Sequence, residues 1–133
     1  MSLPQSRYSI MIVGEAWGRE EAEAGQPFVG YSGKLLRSML RHAGIDYASC
    51  YVTNVFNFQP EGNKLESLTA PKSEAIPGMP QLGQKMWISK RYAPELERLW
   101  AEVETINPNV ILALGATPLW ALSRNLGIKK FRG

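Results

Sequence analysis

The sequence contains one cysteine and one histidine, and this scarcity excludes several kinds of site. Cys50 alone cannot form an internal disulfide, and it cannot supply a four-cysteine zinc or iron–sulfur site. Because it stands at the start of a predicted strand, we interpret Cys50 as a small buried residue. His42 has no cysteine or carboxylate at metal-ligand spacing, so we interpret it as a structural or solvated residue. The sequence therefore predicts no metal site and no cofactor.

Long apolar runs are also missing. No stretch of about 18 apolar residues occurs, as a membrane-spanning helix would need, and residues 1–7 lack the apolar core of a signal peptide. We therefore expect a cytoplasmic protein that makes no membrane contact. A chain of 133 residues with 44% hydrophobic content is long enough for one core, which predicts a single domain over residues 1–133.

Charge is modest in amount but uneven in distribution. The net charge is +3, acidic residues concentrate between positions 15 and 23, and basic residues concentrate near the end of the sequence. That basic cluster contains Arg124, Lys129, Lys130 and Arg132. Such a cluster can bind the phosphates of DNA, and a simply solvated surface is the alternative.

Strand and helix patterns alternate along the chain. Apolar, β-branched runs predict strands at residues 10–13, 51–56 and 110–114. Apolar residues at one-face spacing predict helices that begin at Ser32, at Pro94 and at Thr117. The first of these helices is expected to pack through Leu35, Leu36, Met39 and Leu40. This alternation is typical of a three-layer α/β/α fold around a short parallel sheet.

Two connections differ from the short turns of such a fold. Residues 19–30 read as a polar loop. Residues 57–93 form a long connection, most of it an insertion over 61–91, in which we expect short local structure around residues 86–88. Loops of this length are usually functional or mobile.

Candidate site residues follow the first two strands. Gly14 and Gly18 bound a turn at the carboxyl end of the first strand, where open α/β sheets bind ligands; an ordinary turn is the alternative. Phe28 either plugs the core or lines a pocket. Asn54 interrupts an apolar strand, and its amide either caps neighbouring backbone or reads the edge of a ligand. The spacing excludes a dinucleotide fingerprint, a P-loop and a nucleophile elbow.

Together these motifs resemble the uracil-DNA glycosylase superfamily, in particular its family 4-like branch and the phage DNA-polymerase-related proteins grouped with it. The matching segments are 13–18 (VGEAWG), 25–36 (GQPFVGYSGKLL), 51–56 (YVTNVF), 108–115 (PNVILALG) and 131–133 (FRG). One such motif is weakly specific, but the first four of these segments, in the family's order, are fairly specific. The resemblance covers most of the chain outside residues 61–91.

The resemblance implies a residue-by-residue assignment. Members of the superfamily flip a base out of DNA and bind it in a pocket. By this resemblance Phe28 stacks on the flipped base and the amide of Asn54 reads its edge. The turn from Gly14 through Ala16 and Trp17 then offers N–H groups to the base oxygen on which negative charge grows. The terminal cations Lys129, Lys130 and Arg132 are the candidates for DNA-backbone contact.

The chain also departs from the family pattern. Trp17 stands where the family usually has proline, and we interpret the indole as reshaping the pocket mouth; stacking on DNA is the alternative. Ala16 stands where some branches have a water-activating aspartate. Glu15 is a candidate electrostatic helper, or it anchors the turn. The family's last strand and its His-Pro-Ser-type motif are absent from this sequence, and so are the iron–sulfur cysteines of typical family 4 enzymes.

Three functions remain as hypotheses. The first is an enzyme that hydrolyses the N-glycosidic bond of uracil or another deaminated base in DNA, as in base-excision repair. The second is a non-catalytic DNA- or base-binding module, or a truncated domain of a phage DNA-polymerase-related protein, which the missing histidine motif favours. The third is an unrelated α/β nucleotide-binding domain. A sheet that lacks its last strand exposes an edge, so a homodimer formed through that edge is a further hypothesis.

Overall fold

The computed structural model describes residues 8–26, 28–84 and 86–123, and the backbone of residues 131–132. Its helices and strands follow the alternation expected from the sequence. The strands are β1 (Ile10–Ala16), β2 (Cys50–Phe56), β3 (Thr69–Ala70), β4 (Trp87–Ile88), β5 (Val110–Ala113) and β6 (Phe131–Arg132). The α-helices are α1 (Arg19–Ala24), α2 (Tyr31–His42), α3 (Ala93–Ile106) and α4 (Ala116–Ala121).

The main sheet is parallel and has the strand order β2-β1-β5-β6. Ile10 of β1 lies opposite Cys50 on one side and Val110 on the other. The apolar runs at β1 and β5 are explained by this arrangement, because inner strands of a parallel sheet are covered on both faces. The α/β prediction is confirmed. The segment 131–133 was expected to precede a last strand, but residues 131–132 themselves pair with β5 as a short edge strand.

Side chains that alternate along β1 enter two separate apolar layers. Met11 and Val13 belong to the larger cluster, which contains the buried faces of α3 and α4. Ile12 points to the opposite side and packs with Leu36 and Leu40 of α2. The period of two along a strand therefore separates the two faces of the sheet and produces the three layers.

Helix α2 differs from its prediction in its start and in its packing. It begins at Tyr31 with Gly30 as N-cap, rather than at Ser32. Leu36 and Leu40 are buried, but Leu35 and Met39 are 51% and 61% exposed. Only one side of the helix contacts the sheet, so a four-residue apolar stripe is wider than the surface that covers it.

The segment between β1 and α2 was expected to be a polar loop, and that expectation was wrong. Residues Arg19–Ala24 form the short helix α1, which ends at Gly25 in the left-handed conformation. No residue of α1 is buried. Without an apolar face the helix leaves no periodic signal in the sequence, and it is stabilised by polar contacts at its N-terminus instead.

The long connection after β2 contributes to the core despite its loop-like composition. It contains short 3₁₀ turns and the antiparallel pair β3–β4. The local structure expected around residues 86–88 corresponds to β4. Five of its apolar side chains are buried in the larger cluster: Leu68, Ile76, Met79, Leu82 and Ile88. The connection is therefore packed against the domain along much of its length.

Among the helices that the structure describes, none is both long and apolar enough to cross a membrane.

Candidate base-binding site

A cleft of about 270 Å³ opens at the carboxyl ends of β1 and β2. The two strands are neighbours in register, with Gly14 opposite Asn54, so residues that follow each strand meet at one edge of the sheet. The lining residues are Glu15, Ala16, Trp17, Gly18, Glu21, Phe28, Ser32, Asn54, Pro60 and Asn63. The structure therefore brings together the candidates from the two strand ends and the loop before α2.

Gly14 is the point at which the aromatic ring and the amide meet. A Cβ atom placed on Gly14 would lie 2.4 Å from Oδ1 of Asn54 and 2.5 Å from Cζ of Phe28. Real Cβ atoms do not approach other atoms so closely. A glycine is required here because both side chains contact the backbone of β1, and this contact places them side by side in the wall of the cleft.

Phe28 is held from behind by the start of α2. Its φ angle is +55°, which is uncommon for a residue with a large side chain. A Cβ on Gly33 would lie 1.8 Å from the Phe28 carbonyl oxygen, so the Phe28 backbone sits directly on the first turn of the helix. The half-buried ring both lines the cleft and packs against the apolar cluster of Ile12, Leu36, Leu40 and Cys50, the α2-side cluster. The two alternatives for Phe28, core plug and pocket wall, are thus combined in one side chain.

Asn54 is 2% exposed at the end of an edge strand. Its backbone N–H donates to Oδ1 of Asn57 at 3.3 Å, and its carbonyl accepts a bond from Nη2 of Arg98 at 2.9 Å. Within the described part of the chain, its side-chain amide makes no hydrogen bond, while the residue lines the cleft. The amide thus keeps its donors and its acceptor for another partner.

Glu15 also lines the cleft. Thr117 Oγ1 donates a hydrogen bond to its carboxylate, joining the start of α4 to the end of β1. The Thr117 side chain is buried, so it orients an otherwise exposed carboxylate. From the sequence, Thr117 was predicted only as the start of a helix. Its contact joins residues more than one hundred positions apart, for which the sequence has no local signal.

Trp17 lines the cleft next to Ala16, and its backbone N–H donates to the Phe58 carbonyl at 3.1 Å. The indole is half-buried. Its Nε1–H is shielded from solvent and, among the residues that the structure describes, has no acceptor. The bulk of Trp17 therefore forms part of the cleft wall.

Glu21 is a site residue that sequence analysis missed. Its Oε1 accepts the N–H of Gly18 at 3.0 Å, and its Oε2 accepts those of Val29 and Gly30 at 2.9 and 2.6 Å. One carboxylate thus joins the turn after β1 to the loop that carries Phe28. The available signal was a glutamate three residues after an N-cap, the spacing of a capping box.

The charge of Glu21 is stabilised where it stands. Partial burial acts to raise the pKa of this carboxyl, but the backbone N–H groups of Gly30, Gly18 and Val29 act in the opposite direction, and the net effect lowers the pKa. The link between the two loops therefore depends on an ionised carboxylate.

Metal and cluster chemistry does not fit these residues. In the described ranges, no three His, Cys, Asp or Glu side chains are grouped as a metal site would require. The one cysteine of the sequence, Cys50, is buried in the α2-side cluster. An iron–sulfur cluster of the kind that the family 4 resemblance implies needs four thiolates, so this chain cannot hold one.

Four residues that the sequence analysis considered are not part of the cleft as described. His42 lies in the last turn of α2, where its Nδ1 is 2.9 Å from the Ser38 carbonyl oxygen. Lys129 and Lys130 lie outside the described residues, and for Arg132 only the backbone is described.

Comparison with known sequences identifies the family of this chain. A family model of the uracil DNA glycosylase superfamily matches residues 2–131. The Type-4 uracil-DNA glycosylase of Thermotoga maritima is 36% identical over 126 residues, which is 93% of this chain and 55% of the relative. That of Pyrobaculum aerophilum is 32% identical over 92% of this chain and 52% of the relative. That of Archaeoglobus fulgidus is 36% identical over 80% of this chain and 43% of the relative.

The chain spans about half the length of these curated relatives. Because the family match extends over almost the entire sequence, and the fold is the α/β fold that the match implies, the chain belongs to the uracil DNA glycosylase superfamily.

Proposed function

We propose that the cleft binds a uracil or another deaminated base flipped out of DNA, and that the protein containing this chain hydrolyses the bond between that base and its sugar. One observation carries the proposal: the Phe28 ring and the Asn54 amide meet over Gly14 in the wall of one small cleft. A ring face and an unbonded amide suit a flat ligand with a hydrogen-bonding edge.

The size and chemistry of the cleft support a single base as ligand. Its volume of about 270 Å³ lies just below the usual range of ligand pockets, about 300–1,000 Å³. Uracil presents an acceptor at O4 beside a donor at N3, and one carboxamide complements both. A base with a different edge would leave the buried Asn54 amide unpaired, which makes discrimination large.

Not every backbone N–H group of the turn after β1 is free to contact the departing base. The N–H of Trp17 is bonded to Phe58, and that of Gly18 is bonded to Glu21. Ala16 is paired with Phe56 in the β1–β2 ladder. These contacts leave the amide of Glu15 as the candidate for contact with O2 of the base. Negative charge grows on that oxygen as the bond breaks, so oriented donors there lower the barrier.

The proposed reaction is a hydrolysis. The bond between N1 of the base and C1′ of the sugar breaks, and its electron pair leaves with the base. Water adds to C1′ and releases a proton. The Glu15 carboxylate, held by Thr117, stabilises positive charge that develops on the sugar.

The proposed DNA contact through Lys129, Lys130 and Arg132 is electrostatic. The logarithm of the DNA-binding constant should fall linearly with the logarithm of the salt concentration. Replacing Lys129 and Lys130 with alanine should reduce the magnitude of that slope by about 0.9 for each lost phosphate contact on duplex DNA. Replacing Lys64 and Lys90, which lie on the long connection, serves as a charge-matched control. An unchanged slope would assign the terminal cluster to a solvated surface.

A second candidate function is base or DNA binding without cleavage. The described residues place no histidine at the cleft, since His42 lies at the far end of α2. On this alternative the same pocket captures a base and the chemistry belongs elsewhere. Kinship with phage DNA-polymerase-related proteins and a homodimer through the sheet edge both stay predictions.

A single-turnover cleavage assay on uracil-containing single- and double-stranded DNA tests the proposal. Asn54→Ala and Phe28→Ala are the site variants, and Asn109→Ala, which alters a bond to Ser9 remote from the cleft, is the matched amide control. Cleavage that is lost only in the site variants supports the enzyme. Uracil binding without cleavage supports the binding module. If the protein neither binds uracil nor cleaves the DNA, both functions are refuted.

A further inference from the structure

Arg98 of α3 reaches the end of the strand that carries Asn54. Its Nη2 donates to the carbonyls of Asn54 at 2.9 Å and of Val55 at 2.7 Å, and its Nη1 donates to Oγ1 of Thr53 at 3.1 Å. One guanidinium therefore contacts three consecutive residues at the mouth end of β2. Its planar, forked donors make this possible.

One of these contacts satisfies a group that the sheet leaves without a partner. β2 is the edge strand of the main sheet as described, and successive carbonyls of a strand point to alternate sides, so one of the two neighbouring carbonyls faces away from β1 and has no neighbouring strand there. The pairing register passes from Gly14 with Asn54 to Ala16 with Phe56, and the two carbonyls that Arg98 binds lie at this point. A buried carbonyl without a donor is costly, so Arg98 defines the course of the strand end.

Arg98 is itself fixed in place. The Glu102 carboxylate accepts a bond from its Nη1 and a bond from the Tyr51 hydroxyl, and Glu95 lies 3.7 Å from its Nη2. The side chains of Arg98 and Glu102 are 28% and 18% exposed. Such a partly buried, charge-assisted network resists rotation of the guanidinium more than an exposed ion pair would.

We infer that Arg98 is a positioning residue for base recognition: by binding the Asn54 and Val55 carbonyls at the edge of the sheet, it sets the direction in which the Asn54 amide points into the cleft. This inference rests on the proposed function. Arg98 does not line the cleft and touches no ligand. It acts only through Asn54.

A purely structural role for Arg98 makes a different prediction, and Tyr51→Phe separates the two. That variant removes the Tyr51–Glu102 bond from the same network without altering any bond to Asn54. If Arg98 only stabilises the fold, variants of Arg98 and of Tyr51 that lose equal stability should lose equal function. If Arg98 positions Asn54, the Arg98 variants should lose more.

The test compares Arg98→Ala, Arg98→Lys and Tyr51→Phe with the unaltered protein. Arg98→Lys keeps the charge but not the fork, and it is the variant to use if Arg98→Ala does not fold. We expect the single-turnover cleavage rate of both Arg98 variants to fall about tenfold or more, because small misplacements at a site are costly. DNA affinity should change less than twofold, and Tyr51→Phe should stay near the rate of the unaltered protein.

Nuclear magnetic resonance of the side-chain amide of Asn54, assigned by its loss in Asn54→Asp, supplies a readout that does not need activity. The two amide proton signals should move in the Arg98 variants and remain in place in Tyr51→Phe. Equal rates at equal stability, or signals that do not move, would overturn the inference. If the unaltered protein neither cleaves DNA nor binds uracil, the proposed function fails, and the amide signals still decide whether Arg98 positions Asn54.

Discussion

The α-carbon of Gly14 lies so close to Phe28 that a single methyl group on it would stand 2.5 Å from Cζ of the ring. The same methyl group would stand 2.4 Å from Oδ1 of Asn54. The backbone of Gly14 therefore contacts both side chains that we propose to bind the base. Substitution of this glycine tests their arrangement directly.

Gly14→Ala should displace both Phe28 and Asn54 and reduce affinity for free uracil by about tenfold or more, since each lost contact is worth about 1 kcal/mol. Titration calorimetry with uracil measures the effect. Gly44→Ala is the control: its φ of +78° strains an alanine, but no atom lies within 4 Å of the place where the added methyl group would stand. If both variants lose the same affinity for uracil, the loss reflects lower stability of the fold and not displacement of Phe28 and Asn54.

Glu21→Gln should make the free energy of unfolding depend less on pH in the acidic range. The folded pKa of Glu21 is lower than its ordinary value of 4.5, so protonation favours the unfolded chain. The stabilisation is complete above pH 4.5 and is lost as the pH falls through the lowered folded pKa. Urea unfolding at about pH 6 and about pH 3.5 should show a smaller difference for the variant. Glu23→Gln, on the exposed side of α1, should leave the difference unchanged.

Tyr51 should ionise later than an exposed tyrosine. Burial, followed by the Glu102 carboxylate that accepts a hydrogen bond from its hydroxyl, raises the pKa of Tyr51 to about 12 from an ordinary value of 10. The stabilisation is complete below pH 10 and is lost as the pH rises through 12. The ultraviolet difference titration of the unaltered protein minus Tyr51→Phe should therefore show one phenolate forming near pH 12. A component near pH 10 would contradict the contact with Glu102.

Replacing each of the two neighbouring leucines of α2 with alanine should lower the free energy of unfolding by very different amounts. Leu36→Ala removes a buried side chain, 7% exposed, and should lower the free energy of unfolding by about 2–4 kcal/mol. Leu35→Ala removes one that is 51% exposed and should change it by less than about 0.5 kcal/mol. Urea denaturation of both variants measures the contrast. Similar losses would mean that Leu35 is covered in solution.

Local patterns were enough to predict the parallel sheet and the positions of three of its strands. The apolar runs of β1 and β5 predict burial on both faces because inner parallel strands have no solvated side. The motifs around Gly14, Phe28 and Asn54 also indicated the family, which the comparison confirmed. The roles of the individual site residues stay predictions.

Other features depend on contacts between distant parts of the chain. Helix α1 has no apolar period, and it is joined to the Phe28 loop by the Glu21 carboxylate. The exposure of Leu35 and Met39 depends on how much of α2 the sheet covers, which periodicity cannot measure.

The amino-acid order alone was enough to identify the residues that stand at the carboxyl ends of the strands, because periodicity and glycine placement are local properties. Three-dimensional packing was needed to show that Thr117 holds Glu15, that Glu21 joins two loops and that Arg98 supports Asn54 at the edge of the sheet. Those contacts join residues up to 102 positions apart. They form because folding brings unpaired donors and acceptors together, and a linear pattern does not record that requirement.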